Sequence, residues 1–226
     1  MRRGCATTAS SWSTCRADHG YRAGVLDERV QAVLARLEAE AEAERDAGLP
    51  PERRTLPVGP EAGRLLFALV AANPGCEVLE IGASRGYSTL WLASAARILG
   101  GHVVSLEADA AKCEDWRRTI AEAGLEAHAD LVEGDALETL PRLDDAFDVV
   151  FLDAWKHDYE ALFALAREKV DPGGVIVADN VVSHRDELDG WVAAREADAT
   201  LVTVTVPVGS GLQVSTVLSP PAPTTP

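Results

Sequence analysis

Val149-Val150-Phe151-Leu152-Asp153 and, one helical segment later, Val175-Ile176-Val177-Ala178-Asp179-Asn180 decide the fold of this chain. Each is a short, unbroken apolar run that ends on an acidic residue. That pattern belongs to a strand buried on both faces of a parallel sheet. Consecutive parallel strands in such a sheet are neighbours about 4.8 Å apart, so their C-terminal tips converge. Open α/β sheets bind ligands at that edge. Asp153, Asp179 and Asn180 bring three oxygen-bearing side chains to it, a set suited to a hard divalent cation such as Mg²⁺, Mn²⁺ or Ca²⁺. The competing reading is that each aspartate caps the helix that follows. Two successive strand ends, the second carrying one of only two asparagines in the chain, favour the cation.

Outward from these runs the pattern alternates. Leu26 to Ala47 has apolar residues at Val30, Val33, Leu34 and Leu37, an amphipathic helix stopped by Gly48-Leu49-Pro50-Pro51. A second helix runs from Pro60 to Ala72. Then follow strand Cys76–Ile81, helix Tyr87–Leu99, strand His102–Glu107, helix Ala110–Ala123 and strand Ala127–Glu133. A short helix at Ala136–Leu140 precedes strand Phe147–Asp153. Helix Tyr159–Lys169, strand Gly174–Asp179 and helix Arg185–Ala197 continue the series. Strands Thr200–Val206 and Leu212–Leu218 are joined only by a Gly-rich turn, which demands an antiparallel hairpin. The expectation is an α/β fold: a doubly wound, mostly parallel seven-stranded sheet closed by that hairpin.

Composition bounds the rest. The 226 residues suit one domain, expected over 25–219 with 25–55 as a helical cap. Residues 1–24 carry Arg2, Arg3, Arg16 and Arg22 against Asp18 and show no helical period or apolar signal core. They are expected to be a disordered extension, with a transit peptide or an upstream start as alternatives, and 220–226 a disordered tail. A net charge of −15 argues against nucleic acid and anionic membrane as partners. Cys5, Cys15, Cys76 and Cys113 show no C-x-x-C spacing, so a reduced, cytoplasmic protein is expected.

The first strand and turn read Val78-Leu79-Glu80-Ile81-Gly82-Ala83-Ser84-Arg85-Gly86-Tyr87-Ser88. Glycines here let backbone amides approach a ligand at a helix N-terminus. Gly82 to Gly86 matches the G-x-S-x-G nucleophile elbow, with His184 downstream, but no earlier strands precede it as that fold requires. The G-x-G-x-x-G dinucleotide spacing is absent. The third reading is S-adenosylmethionine, whose cationic sulfonium and amino groups suit Glu80, with Glu107 at the second strand's tip accepting from the ribose hydroxyls.

With these motifs in place, the chain resembles the class I S-adenosylmethionine-dependent O-methyltransferases of the cation-dependent group that includes catechol and caffeoyl-CoA O-methyltransferases. The likeness runs from Leu56 to Leu218. It implies that Glu80, Gly82 and Ser88 belong to the first cofactor motif, and that Glu107 takes the ribose. Gly134-Asp135-Ala136 takes the adenine edge, with Asp135 and Ala136 as contacts. Leu56-Pro57-Val58-Gly59 resembles the segment that closes over the cofactor, which puts Val58 beside it. Phe151-Leu152-Asp153-Ala154-Trp155-Lys156 resembles the motif holding a metal aspartate, a tryptophan and a catalytic lysine; Asp153 also borders the cofactor. Asp179-Asn180 matches the remaining metal ligands. The final turn, Pro207-Val208-Gly209-Ser210-Gly211, lacks the acid that catechol O-methyltransferase carries there.

The chemistry agrees. Methylating a hydroxyl requires an oxyanion, and a phenol with a pKa of about 10 is mostly protonated at neutral pH. A bound cation acidifies a coordinated hydroxyl, and Lys156, three residues past Asp153 and one of three lysines in the chain, is the expected acceptor of the proton; the alternative is that it caps or solvates the following helix. Trp155 walls an aromatic acceptor, Asn180 also touches it, and the alternative for Trp155 is ordinary packing. The expected activity is methyl transfer to a small, vicinal-dihydroxy aromatic acceptor, with a homodimer as one assembly the chain could form. Alternatives are N-methylation with a vestigial metal site and a catalytically silent cofactor-binding protein.

Overall fold

The computed structural model describes residues 26–218; the two segments expected to be disordered, 1–24 and 220–226, lie outside the described residues. The elements are α1 (Glu28–Asp46), α2 (Pro60–Ala71), β1 (Glu77–Ile81), α3 (Tyr87–Leu99), β2 (His102–Glu107), α4 (Ala110–Ala123) and β3 (Ala129–Glu133). They continue with α5 (Ala136–Thr139), β4 (Phe147–Leu152), α6 (Tyr159–Arg167), β5 (Val170–Ala178), α7 (Arg185–Glu196), β6 (Leu201–Val206) and β7 (Leu212–Val217).

The sheet order is β3-β2-β1-β4-β5-β7-β6. Pairs from β3 to β5 are parallel, and β5–β7 and β6–β7 are antiparallel. The seven-stranded, mostly parallel sheet with a C-terminal hairpin is therefore as expected. Its strand order reverses between β1 and β4, the crevice where ligands sit in open α/β sheets. In β4–β5, Leu152 pairs with Ala178, which sets Asp153 and Asp179 side by side one residue further on.

Two apolar cores flank the sheet. One joins α1, α2, α3 and α4 through residues such as Leu37, Leu66, Leu90 and Ile120; the other packs α6 and α7 through Tyr159, Leu162 and Leu188. Val149, Val150, Phe151 and Leu152 are all fully buried. This explains their unbroken apolar run, since each such side chain contributes about 1.5–3 kcal/mol on burial. α1 begins where the Asp27 carboxylate accepts from the Val30 amide at 2.9 Å, and its apolar stripe, Val30, Val33, Leu34 and Leu37, is buried within the subunit.

β5 starts four residues earlier than the sequence predicts, at Val170. Pro172 is tolerated because it falls in an irregular stretch of β5: the pairing with β4 jumps from Val170 to Val175, and β7 pairs only from Val175 onward. Three short 3₁₀ turns among the described residues, Pro51–Arg53, Leu140–Arg142 and Lys156–Asp158, do not show in the sequence pattern. No described helix is long and apolar enough to cross a membrane.

Candidate active site

A cavity of about 660 Å³ opens at the C-terminal tips of β1, β2, β4 and β5. Of the residues predicted from sequence, Gly82, Glu107, Asp135, Ala136, Asp153, Trp155, Lys156, Asp179 and Asn180 line it. Val58 and Ser88 line a small crevice beside it, which shares Gly82 and Asp153 with the main cavity.

The floor is made where β1 ends. Gly82 has φ +91°, and a Cβ there would fall 2.0 Å from the Asp153 carbonyl oxygen. Only glycine lets the first turn and the end of β4 come this close. Glu107, at the tip of β2, shapes the same turn. Its Oε2 accepts from the Ser84 amide at 2.7 Å, and its Oε1 accepts from the Ala108 and Asp109 amides at 3.0 and 2.9 Å. Ser84 has the left-handed φ of +48°, and its hydroxyl is buried on the cavity wall without a partner among the described residues. Sequence reasoning met Ser84 only as a member of the nucleophile elbow. That elbow forms no triad here: no hydrogen bond joins the Ser84 hydroxyl to His184, whose ring bonds the Ser183 hydroxyl at 3.0 Å. Asp135 spends one oxygen capping α5, accepting from the Leu137 amide at 2.9 Å.

Glu80 requires a correction. It is fully buried and absent from both cavity walls. Its carboxylate accepts from Ser88 Oγ at 2.5 Å, Thr89 Oγ1 at 2.5 Å and Ser105 Oγ at 2.6 Å. It ties β1 to β2 and to the first turn of α3, and so holds the cofactor turn from behind. Burial pushes its pKa up, against the pull of the three hydroxyls.

At the other end Asp153 and Asp179 converge. Neither caps a helix: the Lys156–Asp158 turn starts at Trp155 and α7 starts at His184, both without a side-chain cap bond. Asn180, at φ +66°, donates from Nδ2 to Asp153 Oδ1 at 2.8 Å. A half-turn of that amide would present Oδ1 at the same point. Ser210 Oγ donates to Asp179 Oδ1. Burial, then repulsion from Asp153, raises Asp179 to about 7; burial also raises Asp153, opposed by Lys156 and Asn180. Two crowded carboxylates with a single lysine beside them form an oxygen-rich, electron-rich corner that fits a hard cation. Among the described residues no cluster of three or more His, Cys, Asp or Glu side chains is placed to hold a metal. An ion here would rest on two carboxylates and one amide.

Lys156 Nζ donates to the Ala154 carbonyl at 2.8 Å, to Tyr159 Oη at 3.1 Å and to Asp153 Oδ1 at 3.4 Å. It also lies 4.8 Å from the Tyr159 ring centroid. Tyr159 Oη donates in turn to the Asp179 carbonyl at 2.9 Å, and burial pushes its phenol well above the ordinary range. Trp155 is 54% exposed on the cavity wall, which rules out simple core packing. Ser210, His184 and Glu187 complete this end of the cavity. Sequence reasoning missed Ser210 and Glu187 and met His184 only as a triad partner; for Ser210 the available signal was its place between two glycines of the final turn.

Comparison with known proteins agrees with this architecture. A family model described as "Methyltransferase domain" matches residues 79–181. The catechol O-methyltransferase of Niastella koreensis is 34% identical over 176 residues, covering 76% of this chain and 75% of that protein. The catechol O-methyltransferase of Mycobacterium tuberculosis is 38% identical over 146 residues, and the match spans 64% of each chain. Among solved structures, the O-methyltransferase TomG from Streptomyces achromogenes, in complex with SAM, superposes with a TM-score of 0.69 at 29% identity, covering 85% of this chain and 91% of that one.

Proposed function

Because this chain belongs to the class I S-adenosylmethionine-dependent O-methyltransferases of the catechol and caffeoyl-CoA type, we propose that it methylates a hydroxyl of a small vicinal-dihydroxy aromatic acceptor with the aid of a divalent cation. The observation that carries the reading is the meeting of Asp153, Asp179, Asn180 and Lys156 on the wall of the same cavity as Gly82 and Glu107.

S-adenosylmethionine supplies an electrophilic methyl group on a sulfonium. Glu107 binds the ribose hydroxyls with the lone pairs its backbone partners leave free, and Asp135 and Ala136 border the adenine. Asp153, Asp179 and Asn180 would hold the cation, whose chemistry is to lower the pKa of a coordinated hydroxyl. Lys156 takes the proton from the acceptor hydroxyl at Nζ, and Trp155 flanks the aromatic ring. Leu56 and Pro57, on the cavity wall, exclude water from the reacting pair. The final turn, Pro207-Val208-Gly209-Ser210-Gly211, lacks the acid that the resemblance to catechol O-methyltransferase implies for that region, so the cation site would hold the second hydroxyl. A cytoplasmic homodimer is part of the same reading, and light scattering on the purified chain checks the dimer.

The test is S-adenosylhomocysteine formation with catechols, hydroxycinnamoyl esters and flavonoids, run with and without Mg²⁺. Turnover on diols but not on matched mono-phenols supports the reading. Cofactor binding without turnover on any acceptor overturns it in favour of a silent binding protein. Methylation of amines alone overturns it in favour of N-methyl transfer.

A further inference from the structure

Arg85 lies within the cofactor turn, yet its side chain points away from the main cavity into a four-way junction. Its Nη1 donates to Glu44 Oε1 at 2.7 Å and to Thr55 Oγ1 at 2.8 Å, and Nη2 donates to the Arg53 carbonyl at 3.4 Å. Nε stands 3.2 Å from Asp115 Oδ2 on α4. Glu44, near the end of α1, completes the ring by accepting from the Thr55 amide at 2.5 Å through its second oxygen. One guanidinium therefore joins the cofactor turn, α1, α4 and the segment 51–57.

That segment covers the cavity. Pro51, Arg54, Thr55, Leu56 and Pro57 all form part of its wall. Its only regular structure is one short 3₁₀ turn, and Leu56 is half exposed, so few apolar contacts hold it down. Thr55 is the exception: it is only 3% exposed and sits on the Arg85–Glu44 pair. A segment with little burial of its own opens at low cost unless specific polar contacts restrain it. The Glu44–Arg85 pair is itself mostly shielded, with side chains 17% and 21% exposed, where such contacts count for more than at an open surface.

We propose that Arg85 and Glu44 form a clasp that latches segment 51–57 over the cofactor and sets how long the cofactor stays bound. The proposal rests on the reading that S-adenosylmethionine occupies the cavity above Gly82 and Glu107. Arg85 and Glu44 are positioning residues: they act through the strap. Because the turn that cradles the cofactor also carries the latch, an ordered turn and a closed strap support each other, and release of the spent cofactor requires the latch to open.

The experiment measures S-adenosylhomocysteine dissociation by stopped flow from the full chain, its Glu44→Gln and Arg85→Lys variants and the milder Thr55→Val. Alongside, trypsin cleavage after Arg53 and Arg54 is timed without cofactor. Glu44→Gln is expected to raise the dissociation rate about tenfold, the scale of one charge-assisted hydrogen bond, with the association rate within about twofold. Arg85→Lys keeps the charge but loses the fork, and should fall between. The double variant should be no faster than the worse single one. Cleavage after Arg53 and Arg54 should accelerate in the same order. Dissociation unchanged in Glu44→Gln and Thr55→Val, both folded by circular dichroism, overturns the clasp. Absence of any cofactor binding to the wild-type chain strikes at the cavity reading instead, and the cleavage series still decides whether the latch exists.

Discussion

Asn180 Nδ2 donates to Asp153 Oδ1 across 2.8 Å, a side-chain bond that joins the end of β5 to the end of β4. Asn180 reaches it from a left-handed backbone conformation, φ +66°, which asparagine tolerates better than most residues. On one side of this bond lies Lys156 and on the other Asp179, so a single link holds the proposed proton acceptor and the proposed ion ligands in one frame.

The first prediction follows from the donors in that frame. They are all oxygens, without the Cys or His expected for zinc. Activity on a vicinal dihydroxy aromatic should be lost in EDTA and restored by Mg²⁺ or Mn²⁺, while S-adenosylmethionine binding by calorimetry stays within about twofold. Full turnover in chelator would show that the carboxylate pair serves another purpose.

The second concerns Glu107. Glu107→Ala should weaken S-adenosylmethionine binding by about 1.5–3 kcal/mol, the scale of charge-assisted hydrogen bonds. Ser84 loses the acceptor for its amide in the same variant, so the turn itself loosens. Cation affinity should hardly change, because β2 lies beyond β1 on the side away from β4 and β5. Unchanged cofactor affinity means that the ribose is held elsewhere.

Local sequence made most of this legible. Strand ends, helix starts and the hairpin follow from apolar runs, Asp and Gly, and Asp153, Trp155, Lys156, Asp179 and Asn180 sit within a few residues of two such ends. What stayed hidden depends on packing between distant segments. Glu80 and Ser105 face each other across β1 and β2, and Ser88 and Thr89 close the cage from α3. Nothing in the motif says that the acid points inward to them. The Glu44–Thr55–Arg85–Asp115 junction draws on four separate segments, and Ser210 meets Asp179 only once the hairpin folds back.

The third prediction uses Glu80. Its folded pKa is raised by burial, so the folded state prefers the protonated form. Stability from that preference is present below the ordinary Glu value of about 4.3 and is lost as pH rises through the folded pKa. The melting temperature of the wild-type chain should therefore fall relative to Glu80→Gln as pH climbs above about 4.3. Glu80→Ala should cost about 1–3 kcal/mol near pH 4, since it strands three buried hydroxyls, and less as pH rises and the wild type loses its own advantage. A flat difference between wild type and Glu80→Gln across pH 4–8 rules out a raised Glu80.

The last prediction separates proton transfer from positioning at Lys156. As it stands, Nζ donates to Ala154 O, Tyr159 Oη and Asp153 Oδ1. To act as a base the amine must turn a lone pair toward the acceptor hydroxyl, and the Ala154 and Tyr159 contacts keep it at the cavity wall. If that is its role, Lys156→Ala should lower kcat about 10²–10⁴-fold while cofactor and cation binding hold. The loss should shrink for nitro-substituted catechols, whose hydroxyls are already partly ionised at neutral pH. A lysine that only positions the acceptor would mainly raise KM, because it would act equally on ground and transition states. A lysine that only supports Tyr159 and the β4 tip would lower the melting temperature and affect all acceptors alike. A penalty on kcat independent of acceptor pKa would exclude the general base, and ionisation of the hydroxyl would then fall to the Asp153–Asp179–Asn180 corner alone.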